Sequence, residues 1–144
     1  MIWYTSSTEG IAPEDLVGFF VGWPNPPTPE THLRLLRGSD EIILARDGES
    51  DHDGPVVGFI TAIADGVLAA YIPLLEVLPE YQEQGLGGEL TRRMLDRLSE
   101  YYMIDLLCDA ELQPFYDRFG LRRATGMLAR NYERQAGRPD EAGR

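Results

Sequence analysis

Residues 79–90, PEYQEQGLGGEL, join a run of apolar residues to a segment with helical periodicity. The apolar residues on that segment recur every three or four positions and predict a helix that begins at the glycines: Leu86, Leu90, Met94, Leu95 and Leu98. Glycines let the backbone bring its N–H groups close to a ligand, at the point where a helix has unpaired donors. This stretch therefore predicts an anion-binding turn. Tight packing of helix against strand is the alternative role for Gly85, Gly87 and Gly88.

The composition narrows the classes of function. A chain of 144 residues with 43% hydrophobic and 26% charged residues fits one domain. Its formal net charge of −11 argues against nonspecific binding to nucleic acid or to an anionic membrane, so we expect neither partner. All thirteen basic residues are arginine, which excludes a P-loop lysine and a Schiff-base lysine.

The composition also indicates the cellular compartment of the protein and the state of its cysteine. Cys108 is the single cysteine, so no internal disulfide can form. The first ten residues lack the basic and apolar regions of a signal peptide, and no apolar run is long enough to span a membrane. We therefore expect a cytoplasmic protein.

The first half of the chain predicts a strand, two helices and then an antiparallel meander. Ile2 to Thr5 forms the strand, and Pro13 begins a helix that runs to about Phe20. After a proline-rich connection, Thr28 caps a second helix that ends at Gly38. The three meander strands are EIILARDG, PVVGFITAIADG and VLAAYIPLLEVLP, the last interrupted at Pro73.

After the glycine turn and its helix, YMIDLLCD predicts a buried strand, parallel to the preceding strand because a helix connects them. ELQPFYDRFG predicts a short helix, and MLARNY predicts a last strand. The order predicts an α+β fold on a mixed, mostly antiparallel central sheet. We expect a single domain over residues 1–132 and a flexible tail over residues 133–144.

The ligand of the glycine turn is decided by its surroundings. A dinucleotide fingerprint needs a third glycine where this chain has Leu90. Instead, LLEVLPEYQEQGLGGEL followed by FYDRFGL resembles the GNAT superfamily of N-acetyltransferases. The signature Q/R-x-x-G-x-G/A is matched by residues 82–87, and the later apolar, tyrosine and glycine pattern is matched by residues 115–121.

The resemblance implies acetyl-CoA as the acyl donor and no metal. It also implies a sheet flanked by about four helices and splayed between strands four and five, where the amides of Leu75 and Val77 pair with the pantetheine arm. The pyrophosphate would bind the amides of the turn: Gln82, Gln84, Gly85, Leu86, Gly87 and Gly88. Many relatives have a basic residue in this signature, and this chain has glutamines and Glu83, with Arg92, Arg93 or Arg122 as compensating charges.

Acyl transfer to an amine by direct transfer in a ternary complex needs an acid for the departing thiolate and a neutral nucleophile. Tyr116 matches the tyrosine that supplies the proton in the family, and packing beside Phe115 and Phe119 is its alternative role. Glu76 is the only carboxylate in the strand before the turn and is the candidate base. Asp65, Asp109, His32 and an ordered water relay are alternatives.

The acceptor is expected to be a primary amine on a small molecule or a peptide. Phe20 and Trp23 are candidate residues for an apolar wall of its site, and the core is the alternative place for the phenylalanine. The resemblance also implies a homodimer through the last strands. A catalytically silent acyl-CoA-binding module on the same fold is the alternative function.

Overall fold

The structure of the chain is a computed structural model that describes residues 1–140. Within that range it contains six strands and three α-helices. They are β1 (Ile2–Thr5), α1 (Pro29–Gly38), β2 (Glu41–Asp47), β3 (Val56–Ala64), β4 (Ala69–Tyr71), β5 (Leu75–Val77), α2 (Leu86–Arg97), β6 (Met103–Asp105) and α3 (Gln113–Asp117).

All six strands belong to one mixed sheet. Its order is β1, β2, β3, β4 and β6, and β5 pairs with the first half of β3, next to β4 along the same edge. The pairs among β1 to β5 are antiparallel, whereas β4 and β6 are parallel. The predicted fold class and the predicted parallel crossover through α2 are therefore confirmed.

The sheet opens between the last meander strand and β6, as the family resemblance implies. Pro73 divides the third predicted meander strand into β4 and β5. The parallel ladder between β4 and β6 ends where the Ile72 amide donates to the Asp105 carbonyl at 2.9 Å. Beyond that point, and within residues 1–140, β5 has β3 as its only strand partner. The edge of β5 that faces away from β3 is thus open.

Helices cover both faces of the central strands. On one face, Phe59 of β3 packs against His32 of α1, with 4.4 Å between ring centroids. On the other face, a Cβ at Gly58 would come within 3.1 Å of Leu90 of α2, so this glycine allows the close helix-to-strand contact. Because both faces are buried, β3 is apolar almost throughout and lacks the alternation of a half-exposed strand.

The first predicted helix is wrong. Residues Pro13–Leu16 form a single 3₁₀ turn, and the chain then turns repeatedly through left-handed backbone at Gly18, Phe20 and Gly22. These positive φ angles are incompatible with a helix that continues to Phe20. The structure accordingly has three α-helices within residues 1–140, where about four were expected.

Two predictions near the C-terminus also differ from the structure. The predicted buried strand YMIDLLCD shortens to Met103–Asp105, whose ends are exposed. The predicted last strand MLARNY is absent, and residues 122–131 are exposed without a regular element before a 3₁₀ turn at Tyr132–Arg134. The strand-forming residues of both segments have too few neighbouring strands to pair with in residues 1–140.

The segment after residue 132 returns to α1. The Gln135 side chain accepts a hydrogen bond from the Asn25 amide at 2.8 Å, and the Arg34 guanidinium donates to the Arg138 carbonyl. Residues 141–144 lie outside the described residues. The domain boundary at 132 and the flexible tail of residues 133–144 stay predictions. None of the helices in residues 1–140 combines the length and the apolar character that a membrane-spanning helix needs.

Candidate active site

The open edge of β5 presents backbone donors and acceptors. The Leu74 carbonyl accepts from Thr61, and the Leu78 amide donates to Val57, so the even-numbered residues of this stretch pair with β3. Backbone groups alternate along a strand, so those of Leu75 and Val77 point away from β3. The Val77 carbonyl is indeed bound on that side by the Gln82 side-chain amide, at 3.0 Å. The Leu75 and Val77 amides can therefore pair with an extended ligand.

Two left-handed residues shape the glycine turn. Gly85 is the residue before α2 and has φ 86°, which explains a glycine there. Glu83 also has a positive φ of 64°, which the sequence did not predict because glutamate has no preference for that region. A 3₁₀ turn at Pro79–Tyr81 leads from β5 into this loop, and residues 82–85 are exposed. The turn thus presents its backbone to solvent immediately before α2.

The N-cap residue of α2 is Gly85, which has no side chain to cap the backbone donors of the first turn. The Glu89 amide pairs with the Gly85 carbonyl, so the amides that precede it, those of Leu86, Gly87 and Gly88, have no partner within the helix. A Cβ at Gly87 or Gly88 would come no closer than 3.7 Å to other side chains, an ordinary contact. Tight packing therefore does not require either glycine, which favours the ligand-binding role over the packing role.

A cleft of about 950 Å³ connects these features. Its walls are β5, the turn, the start of α2, and α3 with the residues next to it, including Leu75, Val77, Gln82, Gly85, Leu86, Gly87, Gly88, Phe115 and Tyr116. The volume is at the upper end of the range of about 300–1,000 Å³ for small-molecule sites. Of the predicted donor-site residues, only Gln84 is not part of the wall; its side chain donates to the Glu80 carbonyl at 3.4 Å.

Tyr116 lies where this cleft meets a second one of about 440 Å³, whose walls include residues 104–108, residues 121–126 and Leu128. Its ring is half-buried and meets Phe115 edge-on at 4.9 Å. Burial, and then the neighbouring Cys108, raise the pKa of the Tyr116 phenol above its usual value of 10.0. The phenol is therefore protonated at neutral pH, as a proton donor must be.

Glu76 connects β5 to the loop after the first 3₁₀ turn. Its two carboxylate oxygens accept from the backbone amides of Phe20, at 2.8 Å, and Val21, at 3.2 Å. Glu76 also contributes to the wall of the cleft. Its role as the base stays a prediction, and the structure adds a role that the sequence did not suggest, because partners 55 and 56 positions away leave no local pattern.

The alternative bases lie in less suitable places. The Asp65 carboxylate accepts from the amides of Val67, Leu68 and Ala69, and these hydrogen bonds lower its pKa below the usual range. Asp109 is exposed and makes no side-chain cap at the 3₁₀ turn before α3. His32 is 1% exposed, and burial lowers its pKa from 6.5 to about 4.

The two candidate acceptor residues have different environments. The Phe20 side chain is 4% exposed and packs against His32 and Trp23, with 4.9 Å between each pair of ring centroids. Trp23 is 38% exposed. Neither is part of the cleft wall at β5. Phe20 therefore packs in the core beneath the loop. Of the two aromatic rings, only that of Trp23 is accessible to a ligand.

Relatives of known structure are similar over nearly the full chain. A candidate acetyltransferase from Deinococcus radiodurans R1 is 51% identical, with a TM-score of 0.91, over 96% of this chain and 94% of that protein. A GNAT-family acetyltransferase from Streptococcus pneumoniae TIGR4 is 29% identical, with a TM-score of 0.66, over 91% and 98% of the two chains.

Curated relatives match part of their length. GCN5-related N-acetyltransferase 2, chloroplastic, of Arabidopsis thaliana is 28% identical over 116 residues, and the N-acetyltransferase ycf52 of Pyropia yezoensis is 28% identical over 102. Each match covers 69% of this chain, which spans 45% and 58% of the two proteins respectively. The family model of the acetyltransferase (GNAT) domain matches residues 39–132, more than half of the chain. The chain therefore belongs to the GNAT acetyltransferases.

Proposed function

We propose that this acyltransferase moves an acetyl group from acetyl-CoA to a primary amine on a small molecule or a peptide, by direct transfer in a ternary complex. The observation that carries the proposal is the cleft that joins three features: the open edge of β5, the uncapped start of α2 and the phenol of Tyr116. Each of them answers one chemical requirement of the reaction. The relatives named above support acyl transfer in general.

The backbone would bind and orient the donor. The open amides of Leu75 and Val77 suit the extended pantetheine arm, and the unpaired amides of Gly87 and Gly88 suit its pyrophosphate. An amide near Val77 can stabilise the negative charge that develops on the carbonyl oxygen. Donor binding by amides is compatible with a turn that has no basic residue.

Tyr116 would complete the transfer. The amine nitrogen bonds to the acetyl carbon as the carbon–sulfur bond breaks, and the phenol gives its proton to the departing thiolate. Transfer without a covalent acyl-enzyme fits Cys108, which is half-buried and has no histidine beside it in the sequence. Glu76 remains the carboxylate predicted to take the proton of the amine.

The test is a thiol-release assay with acetyl-CoA and a panel of primary amines. We expect release with at least one amine, and a loss of about 100-fold or more in kcat for Tyr116→Phe. Tyr101→Phe is the matched control, because that ring is half-buried like that of Tyr116 and lies outside the cleft. Coenzyme A binding without thiol release for any amine would instead identify a silent binding module.

We also propose that the chain forms a homodimer, with residues 121–131 of a second copy inserted beside β6. Residues 121–126 and Leu128 line the smaller cleft together with residues 104–108. Met127 and Leu128 are 95% and 63% exposed, and Tyr102, next to β6, is 83% exposed. The sequence predicts a strand at MLARNY, and a second copy would provide the neighbour that the described chain lacks.

Light scattering after gel filtration tests the dimer. We expect twice the chain mass for the wild type and a shift toward the monomer for Leu128→Asp, because a buried carboxylate opposes association. Val67→Asp is the control, since Val67 is 83% exposed on the turn between β3 and β4. A wild-type monomer at micromolar concentration would refute the proposal.

For the compartment of the protein we propose the cytoplasm, because a chain with one cysteine has no internal disulfide to maintain.

A further inference from the structure

The proposed phosphate site has no basic residue in its turn, yet two arginines contribute to the wall of the cleft. They are Arg92, on α2, and Arg118, directly after α3. A cation strengthens phosphate binding by backbone amides only if a carboxylate does not already neutralise it. The ion pairs of the two side chains therefore decide which of them can serve.

Arg92 is fully engaged. It pairs with Asp96 at 3.1 Å and donates to Glu89, which also binds Arg93 at 2.6 Å. These hydrogen bonds lower the pKa of Glu89 from 4.5 to about 2, so it is ionised throughout the neutral range. The two carboxylates balance the two guanidinium groups, and the cluster offers no net positive charge. Of the three compensating arginines predicted from the sequence, Arg122 is part of the smaller cleft only.

Arg118 has a different environment. Its guanidinium carbon lies 4.8 Å from the ring centroid of Phe115 and 5.4 Å from that of Phe119, and its Nε donates to the Phe115 carbonyl at 3.3 Å. Within residues 1–140 none of its nitrogens lies at ion-pair distance from a carboxylate. Stacking fixes the plane of the group while most of its five N–H donors remain available.

The position of this guanidinium matches the start of α2. Its Nη2 lies 3.9 Å from the point where a Cβ of Gly88 would be. Gly88 is one of the residues whose amide has no partner within the helix. A positive side chain and unpaired backbone donors thus lie at the same point of the cleft, which is the combination that a phosphate group favours.

We propose that Arg118 binds the pyrophosphate of acetyl-CoA and supplies the positive charge that the turn lacks. This inference rests on the proposed function. It assigns a charge to FYDRFG, the second of the two segments that carried the family resemblance, where the sequence alone suggested only a proton donor. Turn and α3 would then bind the donor from opposite sides, one through amides and the other through a guanidinium.

Isothermal titration calorimetry tests the role of Arg118 with three ligands: coenzyme A, 3′-dephospho-coenzyme A and pantetheine. For Arg118→Gln we expect Kd to rise about tenfold or more for the two ligands with a pyrophosphate, because one charge-assisted hydrogen bond is lost. Binding of pantetheine should not change. Arg118→Lys should recover part of the affinity, since it restores the charge without the planar group.

The control is Arg37→Gln, which removes the same charge from the exposed end of α1 and should leave all three Kd values within about twofold. Thermal melting without ligand shows whether each variant is folded, and Arg118→Lys retains a long stem if the glutamine variant is not. Equal coenzyme A affinity in the wild type and in the folded Arg118 variants would overturn the inference. So would a loss confined to coenzyme A, which would indicate its 3′-phosphate. A wild type that binds no coenzyme A would instead contradict the proposed function.

Discussion

Replacing Glu76 by alanine should loosen the loop that follows the first 3₁₀ turn. The carboxylate accepts from the amides of Phe20 and Val21. A hydrogen bond to a charged group contributes about 1.5–3 kcal/mol, and the Val21 amide is exposed, so the lower end applies to it. Phe20 also has φ 62°, a region that costs a residue with a side chain about 1 kcal/mol or more unless its surroundings hold it there.

The two hydrogen bonds together contribute about 3–4.5 kcal/mol, and release of the loop relieves about 1 kcal/mol of backbone strain at Phe20. Glu76→Ala should therefore lower the free energy of unfolding by about 2–3.5 kcal/mol, and Glu76→Gln, which keeps one oxygen acceptor, by about half as much. Urea denaturation followed by fluorescence measures the difference. Hydrogen exchange locates it, because the Phe20 amide should exchange at least tenfold faster in the alanine variant. Equal unfolding midpoints, or unchanged exchange at Phe20, would show that the carboxylate does not hold the loop.

The same glutamine variant separates the two roles of Glu76. A base at this position predicts that the ascending limb of kcat/KM against pH disappears in Glu76→Gln. A role in holding the loop predicts a higher KM for the amine with that limb intact, because the neighbouring Trp23 would lose its position. An unchanged ascending limb would remove Glu76 from the candidate bases.

Three further predictions follow from buried or uncapped groups. Gly88→Ala should raise the free energy of unfolding by up to about 1 kcal/mol, measured by urea denaturation, and should weaken coenzyme A binding, measured by titration. The control is Gly38→Ala, at the end of α1, which should leave coenzyme A binding unchanged. His32 has a pKa of about 4 in the folded protein and an ordinary value of 6.5, so the unfolded chain binds the proton first as pH falls. The free energy of unfolding should therefore fall by up to about 3 kcal/mol between pH 6.5 and pH 4. Urea denaturation of His32→Phe should show a flatter dependence on pH. Because burial raises the Tyr116 pKa, kcat should show no descending limb from this phenol below about pH 10, and an earlier fall that Tyr116→Phe abolishes would contradict it.

Much of the proposed donor site could be predicted because its signals are local. Gly85 is needed for its left-handed backbone, α2 starts at the glycines, and Pro73 interrupts the strand next to them. Thr28 caps α1 as its sequence indicates, with its side chain accepting from the Thr31 amide. Each of these features depends on residues within four positions of one another, so the order of residue types is sufficient to indicate it.

Interactions between distant parts of the chain were decided by the tertiary structure. Glu76 meets Phe20 across 56 positions, and Arg118 reaches Gly88 across the cleft. Arg92, one of three arginines suggested from the sequence, is instead neutralised by carboxylates of its own helix. The helix predicted up to Phe20 and the strand MLARNY failed for a related reason, since propensity is overridden when the neighbour that a segment needs is elsewhere or absent. The sequence by itself indicated the family and the glycine turn before α2. Only the fold decided which charged side chains remain available there, because a charge is available or neutralised according to what lies within a few ångströms of it in space.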